Sequence, residues 1–325
     1  MTYLDPAIFQ ELAKLWNLAA GLTHPLTPHL LQDTMSGDLD FHPDDLIIER
    51  FAGEPCGFVL TKRPQQATFP GCEPYQDKGY ICLLASDPAR QRLGIGRQLL
   101  TKAEDHLRAT GAKYAILGGS FHHVVPGIPS GLSRAQIFFR QAGYTFGKAV
   151  WDLAHYTTDD FTLGEFAMAI FRSSGIVPRI IRSKFGQSED PAATEALSTF
   201  LYREFPGRWC HEVPQALSAA QLSTQVLGLL YGKEVVGFAQ LHLPGSFATR
   251  RWHGFNPFVA AIGPLGVARA LRGRELGLAL VAAATGYLQQ QGAWQIVIDW
   301  TDLLKFYGKL DYRPWLKYFL AQKTL

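Results

Sequence analysis

Apolar positions along this chain follow a pattern that occurs twice. Residues 46–51 and 56–61, joined by Ala52-Gly-Glu-Pro55, read as strand, tight turn, strand and predict a β-hairpin, and residues 225–231 and 235–241, joined by Gly232-Lys-Glu234, predict another. Each hairpin is followed by a further apolar strand, 80–85 in one case and 260–262 running towards Val267 in the other. A Gly/Arg-rich turn comes next (86–96; 268–277), then a helix. The first helix places Leu99, Leu100, Ala103 and Leu107 on one face, and the second places Leu276, Leu280, Val281, Ala284 and Leu288. Gly111-Ala112 and Gly292-Ala293 predict the helix ends. Strands at 113–117 and 294–298 and a last helical pattern at 135–144 and 303–312 complete each copy. Gly57 and Gly96 are spaced as Gly237 and Gly277 are, to within one residue. Element type, order and spacing repeating together predict a duplicated unit of α/β (α+β) class. The expected division is a first domain over 1–155, a linker over 156–177 and a second domain over 178–325. The loop at 121–129 has no counterpart in the second copy.

Composition narrows this picture without redirecting it. A chain of 325 residues with 47% apolar and 18% charged residues is globular and long enough for two cores. Its net charge of +3 gives no reason to expect a nucleic-acid partner. The N-terminal residues lack a basic segment followed by an apolar run, and the most apolar window, 276–288, is too short to cross a bilayer. Cys56, Cys72, Cys82 and Cys210 show no metal-ligand spacing and predict reduced, buried thiols. The expectation is a soluble, cytoplasmic protein with no membrane partner and no metal.

The first Gly/Arg turn carries the clearest chemistry. Between a strand and a helix, free backbone N–H groups and the helix dipole favour an anion. Gly94 and Gly96 remove the Cβ atoms that would hold a phosphate away, and Arg92 and Arg97 can add charge-assisted hydrogen bonds. The turn lacks the Gly-Lys-Ser/Thr of a P-loop, and Leu99 stands where a dinucleotide fingerprint needs its third glycine. Close packing at a helix start is the alternative for an isolated Gly-x-Gly, and the repeated topology argues against it.

Gln91-Arg-Leu-Gly94-Ile-Gly96, with Ser86-Asp-Pro88 before it and Leu99-Leu100 after it, resembles the acyl-CoA pyrophosphate signature of the GNAT acyltransferase superfamily. Phe138-Phe-Arg-Gln-Ala-Gly-Tyr144 resembles that family's later helix. In the second copy Gly266-Val267 and residues 272–277 resemble the signature, with Glu275 in place of its first glycine. A register two residues later would use Arg274, Gly277 and Ala279. The first register is preferred because Val267 to Gly277 repeats the spacing of Ser86 to Gly96. The tandem layout is similar to that of mycothiol synthase, and layout does not identify a substrate.

The resemblance implies tandem GNAT folds, each a mixed, mostly antiparallel sheet flanked by helices, with acetyl-CoA as donor and a small-molecule primary amine as acceptor. It implies that Leu84, Ala85 and Ser86, and in the second copy Leu265, Gly266 and Val267, line the pantetheine arm. Gln91, Arg92, Leu93, Gly94, Ile95, Gly96 and Arg97, and likewise Arg272, Gly273, Arg274 and Gly277, then face the pyrophosphate. The acid that protonates the leaving thiolate falls on Tyr307 in the second copy but on Phe139 in the first. Tyr307 is alternatively a packing residue. The first copy therefore has the better loop and the second the acid, so CoA binding is expected in the first half, and catalysis in the second if Tyr307 is the acid. A catalytically inactive acyl-CoA-binding or scaffold protein is the rival reading, favoured by Glu275 and Phe139. No general base is assigned: Glu49, Asp299 and Asp302 read as solvated or structural carboxylates, and His122-His123, in a Pro/Gly loop, as exposed. The segment 299–302 and Pro314-Trp315 either wall an acceptor pocket or belong to the core.

Overall fold

A computed structural model describes residues 5–21, 24–36, 41–64, 69–121, 123–157, 162–219, 223–252, 256 and 258–325. The first half runs α1 (Pro6–Ala19), α2 (Pro28–Ser36), the hairpin β1 (Leu46–Phe51) and β2 (Glu54–Lys62), α3 (Glu73–Gln76), β3 (Lys78–Ser86), α4 (Ile95–Ala109) and β4 (Tyr114–Leu117). It closes with β5 (Ile128–Pro129), α5 (Ser133–Gln141) and β6 (Thr145–Tyr156). Then come α6 (Thr162–Ser173), β7 (Val177–Lys184), β8 (Gln187–Ser188), α7 (Pro191–Glu204), α8 (Arg208–Ser218) and the hairpin β9 (Ser223–Tyr231) and β10 (Glu234–His242). The chain ends with β11 (Val259–Val267), α9 (Leu276–Gln290), β12 (Gln295–Thr301), α10 (Leu304–Tyr307) and β13 (Arg313–Thr324). Each half is thus a mixed, mostly antiparallel sheet with helices.

The periodicities carry into packing. Leu99, Leu100, Ala103 and Leu107 are buried against β2 and β3, and α4 stops where Gly111 takes φ +89°. The second helix is apolar almost all round because it is covered on both sides. The sheet packs on one face of α9 and α6 on another, with Ala167 and Phe171 buried beside Leu280 and Ala284. Each Leu, Val or Phe buried there contributes about 1.5–3 kcal/mol. All four cysteines are buried, and none is in a disulfide.

Two arrangements depart from the expected division. The stretch expected as a linker, 156–177, is largely α6, part of the second half's core. The halves also exchange their final strands. β6 pairs antiparallel with β12 (Gln295↔Tyr156 to Ile298↔Leu153) and with β13, while β13 reaches β4 (Gln322↔Ile116 to Thr324↔Tyr114). One sheet results, in the order β1-β2-β3-β4-β13-β6-β12-β11-β10-β9-β7-β8. Neither 1–155 nor 178–325 is therefore a closed unit. Asp152 sits in this seam, 2% exposed; its carboxylate accepts from Tyr318 Oη (3.0 Å), Trp252 Nε1 (3.1 Å) and the Trp300 amide (3.3 Å). Burial pushes its pKa up to about 6.

Each half contains one parallel pair that holds at one end only. β3 and β4 pair from Lys78↔Tyr114 to Ile81↔Leu117, and β11 and β12 from Val259↔Gln295 to Ala261↔Val297. Beyond those residues the strands part, and the Gly/Arg turns lie just past the parted ends of β3 and β11.

Candidate active site

The two turns have one backbone design with different residues in it. After β3 a 3-10 turn (Pro88–Arg90) leads to Arg92 at φ +68° and Gly94 at φ +87°; after β11 a 3-10 turn (Arg269–Leu271) leads to Gly273 at φ +81° and Glu275 at φ +59°. Arg92 therefore matches Gly273, and Gly94 matches Glu275. Helices α4 and α9 both begin without a capping side chain. The first internal bonds run from Gln98 N–H to Gly94 O and from Ala279 N–H to Glu275 O, which leaves the preceding amides free for an anion. Gly277 lines the second opening, where a Cβ would meet Phe306 in ordinary contact at 3.5 Å. The residues present thus fit a phosphate group at either helix start.

The surroundings differ sharply. A cavity of about 1530 Å³ begins at Arg272, Gly273, Glu275 and Gly277, passes the parted stretch of β11 (Ile262 to Val267), and reaches Asp299, Trp300 and Tyr307. It continues past Arg208, Trp209 and Glu212 of α8 to Tyr75, Lys78, Tyr80 and His123 of the first half. Leu84, Ala85, Ser86 and residues 91–97 are not among its lining; Gln91, Arg92, Leu93, Gly94 and Arg97 are exposed, Leu93 at 71%. The cavity belongs to the loop that carries the glutamate. Arg274 is exposed beside it and does not line it.

Tyr307, at the end of α10, is 6% exposed, its ring packed edge-on to Phe306 and Tyr312. No described residue hydrogen-bonds its hydroxyl, which lies open to the cavity. Burial, with the negative charge of Asp299 adding to it, pushes the phenol's pKa up to about 12, so the proton stays on it. The equivalent Phe139 is buried in the first half's core against Tyr144. The helix expected over 303–312 is one α turn followed by a 3-10 turn (Gly308–Leu310), and Asp311 ends it at φ +61° in the glycine's usual role.

Asp299 is not a solvated carboxylate. It accepts from Arg251 Nη2 at 2.7 Å and lies 3.6 Å from His123 Nε2. Burial alone would raise its pKa; the Arg251 guanidinium prevails and holds it well below the usual carboxylate range. His123 is not exposed either: its side chain is 6% accessible, Nε2 accepts from Arg251 Nη1 at 2.9 Å, and burial pushes its pKa down to about 4. His122 lies outside the described residues. Glu49 pairs with Lys102 away from the cavity, and Asp302 pairs with Lys148 at its rim (2.7 Å). Residues 299–302 all line the cavity, whereas Pro314 and Trp315 do not. Sequence reasoning missed His242, Glu212 and Arg208, which carry no local motif and enter the cavity only through tertiary packing. Among the described residues no three His, Cys, Asp or Glu side chains gather as a metal site requires, and no helix is long and apolar enough to cross a membrane.

A mixed sheet whose parallel pair parts beside an uncapped helix start, built twice into one chain, defines a tandem GNAT fold. The chain belongs to the acetyltransferase (GNAT) family, whose sequence profile matches residues 9–123 and 194–312. No curated protein matches it in sequence. Among solved structures it is similar to the GCN5-related glucosamine N-acetyltransferase region of a fungal multi-domain GH3 β-N-acetylglucosaminidase, at TM-score 0.79 and 22% identity over 99% of this chain. The chain spans 37% of that protein's length. A GCN5-related N-acetyltransferase from Sphaerobacter thermophilus aligns at TM-score 0.64 and 17% identity, over 99% of this chain and 94% of its own. The tandem GNAT protein of the clavulanic acid biosynthesis pathway aligns at 0.64 and 16%, over 98% and 95%. At these identities the likenesses show the fold.

Glu275 makes a prediction at the loop itself. It is exposed, unpaired among the described residues, and holds a left-handed conformation that costs a non-glycine residue about 1–2 kcal/mol. Glu275→Gly relieves that strain and removes a negative charge from an anion site. If this turn holds the pyrophosphate of an acyl-CoA, as the family resemblance implies, acetyl-CoA should bind roughly tenfold tighter, by about 1.4 kcal/mol, as read by calorimetric titration. Weaker binding would mean that the carboxylate contacts the ligand favourably.

Proposed function

We propose that this protein transfers the acetyl group of acetyl-CoA to a primary amine of a small molecule, with a single donor site in the second half. The observation that carries this reading is the one cavity that joins the uncapped start of α9 to the free phenol of Tyr307. In this reading the α9 amides and Arg272 hold the pyrophosphate, and the backbone of Leu265, Gly266 and Val267 lines the pantetheine arm. Acetyl-CoA supplies an activated acyl carbon and a thiolate leaving group, and Tyr307 donates its proton as that thiolate departs. Holding both reactants in one cavity supplies several kcal/mol of the barrier reduction. The first-half loop keeps the backbone design as a turn into α4 and holds no donor.

An amino sugar is the acceptor class favoured here. The structure similar at TM-score 0.79 is described as a glucosamine N-acetyltransferase region. The cavity also offers what a polyhydroxylated amine needs: the indole rings of Trp209 and Trp300 beside the Arg208–Glu212 pair (2.7 Å). The test is thiol release from acetyl-CoA across a panel of amino sugars, polyamines and amino acids. Release that depends on the amine and is fastest with an amino sugar is expected. Donor binding without amine-dependent release would favour the scaffold reading.

A further inference from the structure

We propose that His242 is the catalytic base, accepting the amine's proton on Nδ1; this rests on the acetyl-transfer reading above. His242 ends β10 at the cavity wall. Its Nε2 lies 2.7 Å from the carbonyl oxygen of Gly263 on β11, and a carbonyl only accepts. The proton therefore resides on Nε2, and Nδ1 carries a bare lone pair. No described residue bonds that nitrogen, and it is not among the buried polar atoms left unpaired, so it is open to the cavity.

Of the other carboxylates and imidazoles on the cavity wall, all but Glu275 are engaged. The Asp299 carboxylate is held by Arg251, that of Glu212 by Arg208 (2.7 Å), and that of Asp302 by Lys148. The bare His123 Nε2 is taken by Arg251, and its Nδ1 is sealed from the cavity. Glu275 stands at the phosphate end. The charged groups around His242 are Arg251, Asp299 of β12 and Glu212 of α8. Burial is the largest influence and, with Arg251, lowers its pKa; the Gly263 contact, Asp299 and Glu212 pull the other way. The imidazole is thus neutral and ready to accept at neutral pH.

The step balances without a further reactant. The acceptor ammonium loses one proton to solvent and its nitrogen bonds to the acyl carbon. The second proton passes to His242 Nδ1, the C–S bond breaks, and the thiolate takes the proton of Tyr307. Solvent in the cavity returns a proton from the imidazolium to the phenolate, leaving N-acyl amine and free thiol.

His242→Gln retains an N–H that can reach the Gly263 carbonyl and removes the lone pair. The expected result is a loss of roughly 10²-fold or more in kcat, with acetyl-CoA affinity unchanged by calorimetry. In the wild type both the ammonium and the imidazole must shed a proton, so the acid limb of kcat/KM steepens below the imidazole pKa. The variant should keep only the shallower limb. An unchanged rate or an unchanged limb overturns the assignment. Nitrogen-15 NMR of the wild-type imidazole, identified by its loss in His242→Gln, reads the same point without turnover. An Nε2–H tautomer supports the proposal, and an Nδ1–H tautomer overturns it even if no acceptor is found. Failure of the wild type to release thiol with any amine counts against the acetyl-transfer reading, separately from the tautomer.

Discussion

Placing a glutamate at Gly277 should weaken acetyl-CoA binding at least 100-fold, while the same change at Gly94 should leave it intact. Gly277 sits in the first turn of α9, where a side chain would project towards Phe306 (3.5 Å from a Cβ) and across the cavity mouth. A carboxylate about 4 Å from a phosphate repels it by roughly 1–4 kcal/mol between bulk-water and protein-surface screening, and the ligand carries two such groups there. Steric closure adds to this. Gly94 differs in both respects: a Cβ there meets nothing within 4 Å, and the large cavity does not reach it. Its cost is conformational, about 1–2 kcal/mol of stability from φ +87°. Calorimetric titration of both variants against wild type decides the matter, with one acetyl-CoA per chain expected. If Gly94→Glu removed the binding and Gly277→Glu did not, the donor would sit in the first half.

That contrast runs against the emphasis the sequence invites, and the reason is physical. The Gln91 to Gly96 motif is the better match because Gly94 supplies the left-handed residue a strand-to-helix turn needs. Glu275 meets the same backbone demand at φ +59°, so the mismatch is one of strain and charge rather than shape. Local features of this kind were legible: both hairpins, both helices and both glycine stops follow from spacing, although α9 is apolar almost all round rather than amphipathic. Whether space lies behind a loop is set by residues far away in the chain, such as Trp209 and His123, which no local pattern announces. The strand exchange was illegible for the same reason. β6 and β13 are long strands that would pair plausibly within their own halves, and only tertiary packing selects β12 and β4 as partners. His242 is the clearest case. In sequence it is a lone histidine in an apolar strand; its meaning comes from a carbonyl on β11 that fixes its tautomer.

Tyr307→Phe should lower kcat by roughly 10²-fold and leave acetyl-CoA affinity close to wild type, because only the hydroxyl is removed and no described residue depends on it. The ring keeps its packing against Phe306 and Tyr312, so stability should hardly change. With its pKa near 12 the phenol stays protonated through the working range, and wild-type kcat should show no alkaline loss from this group below about pH 11. A thiolate formed beside the same buried phenol is also made more basic by partial desolvation, which narrows the gap between donor and acceptor. Acid assistance matters in proportion to leaving-group basicity. The penalty of Tyr307→Phe should therefore shrink when the acyl group is carried on a thiol of lower pKa, and a penalty that stays constant would reduce Tyr307 to a positioning role. Phe139→Tyr supplies the control. It places a hydroxyl at the equivalent point of the first half, in a core the large cavity does not reach, and should restore nothing to the Tyr307→Phe protein.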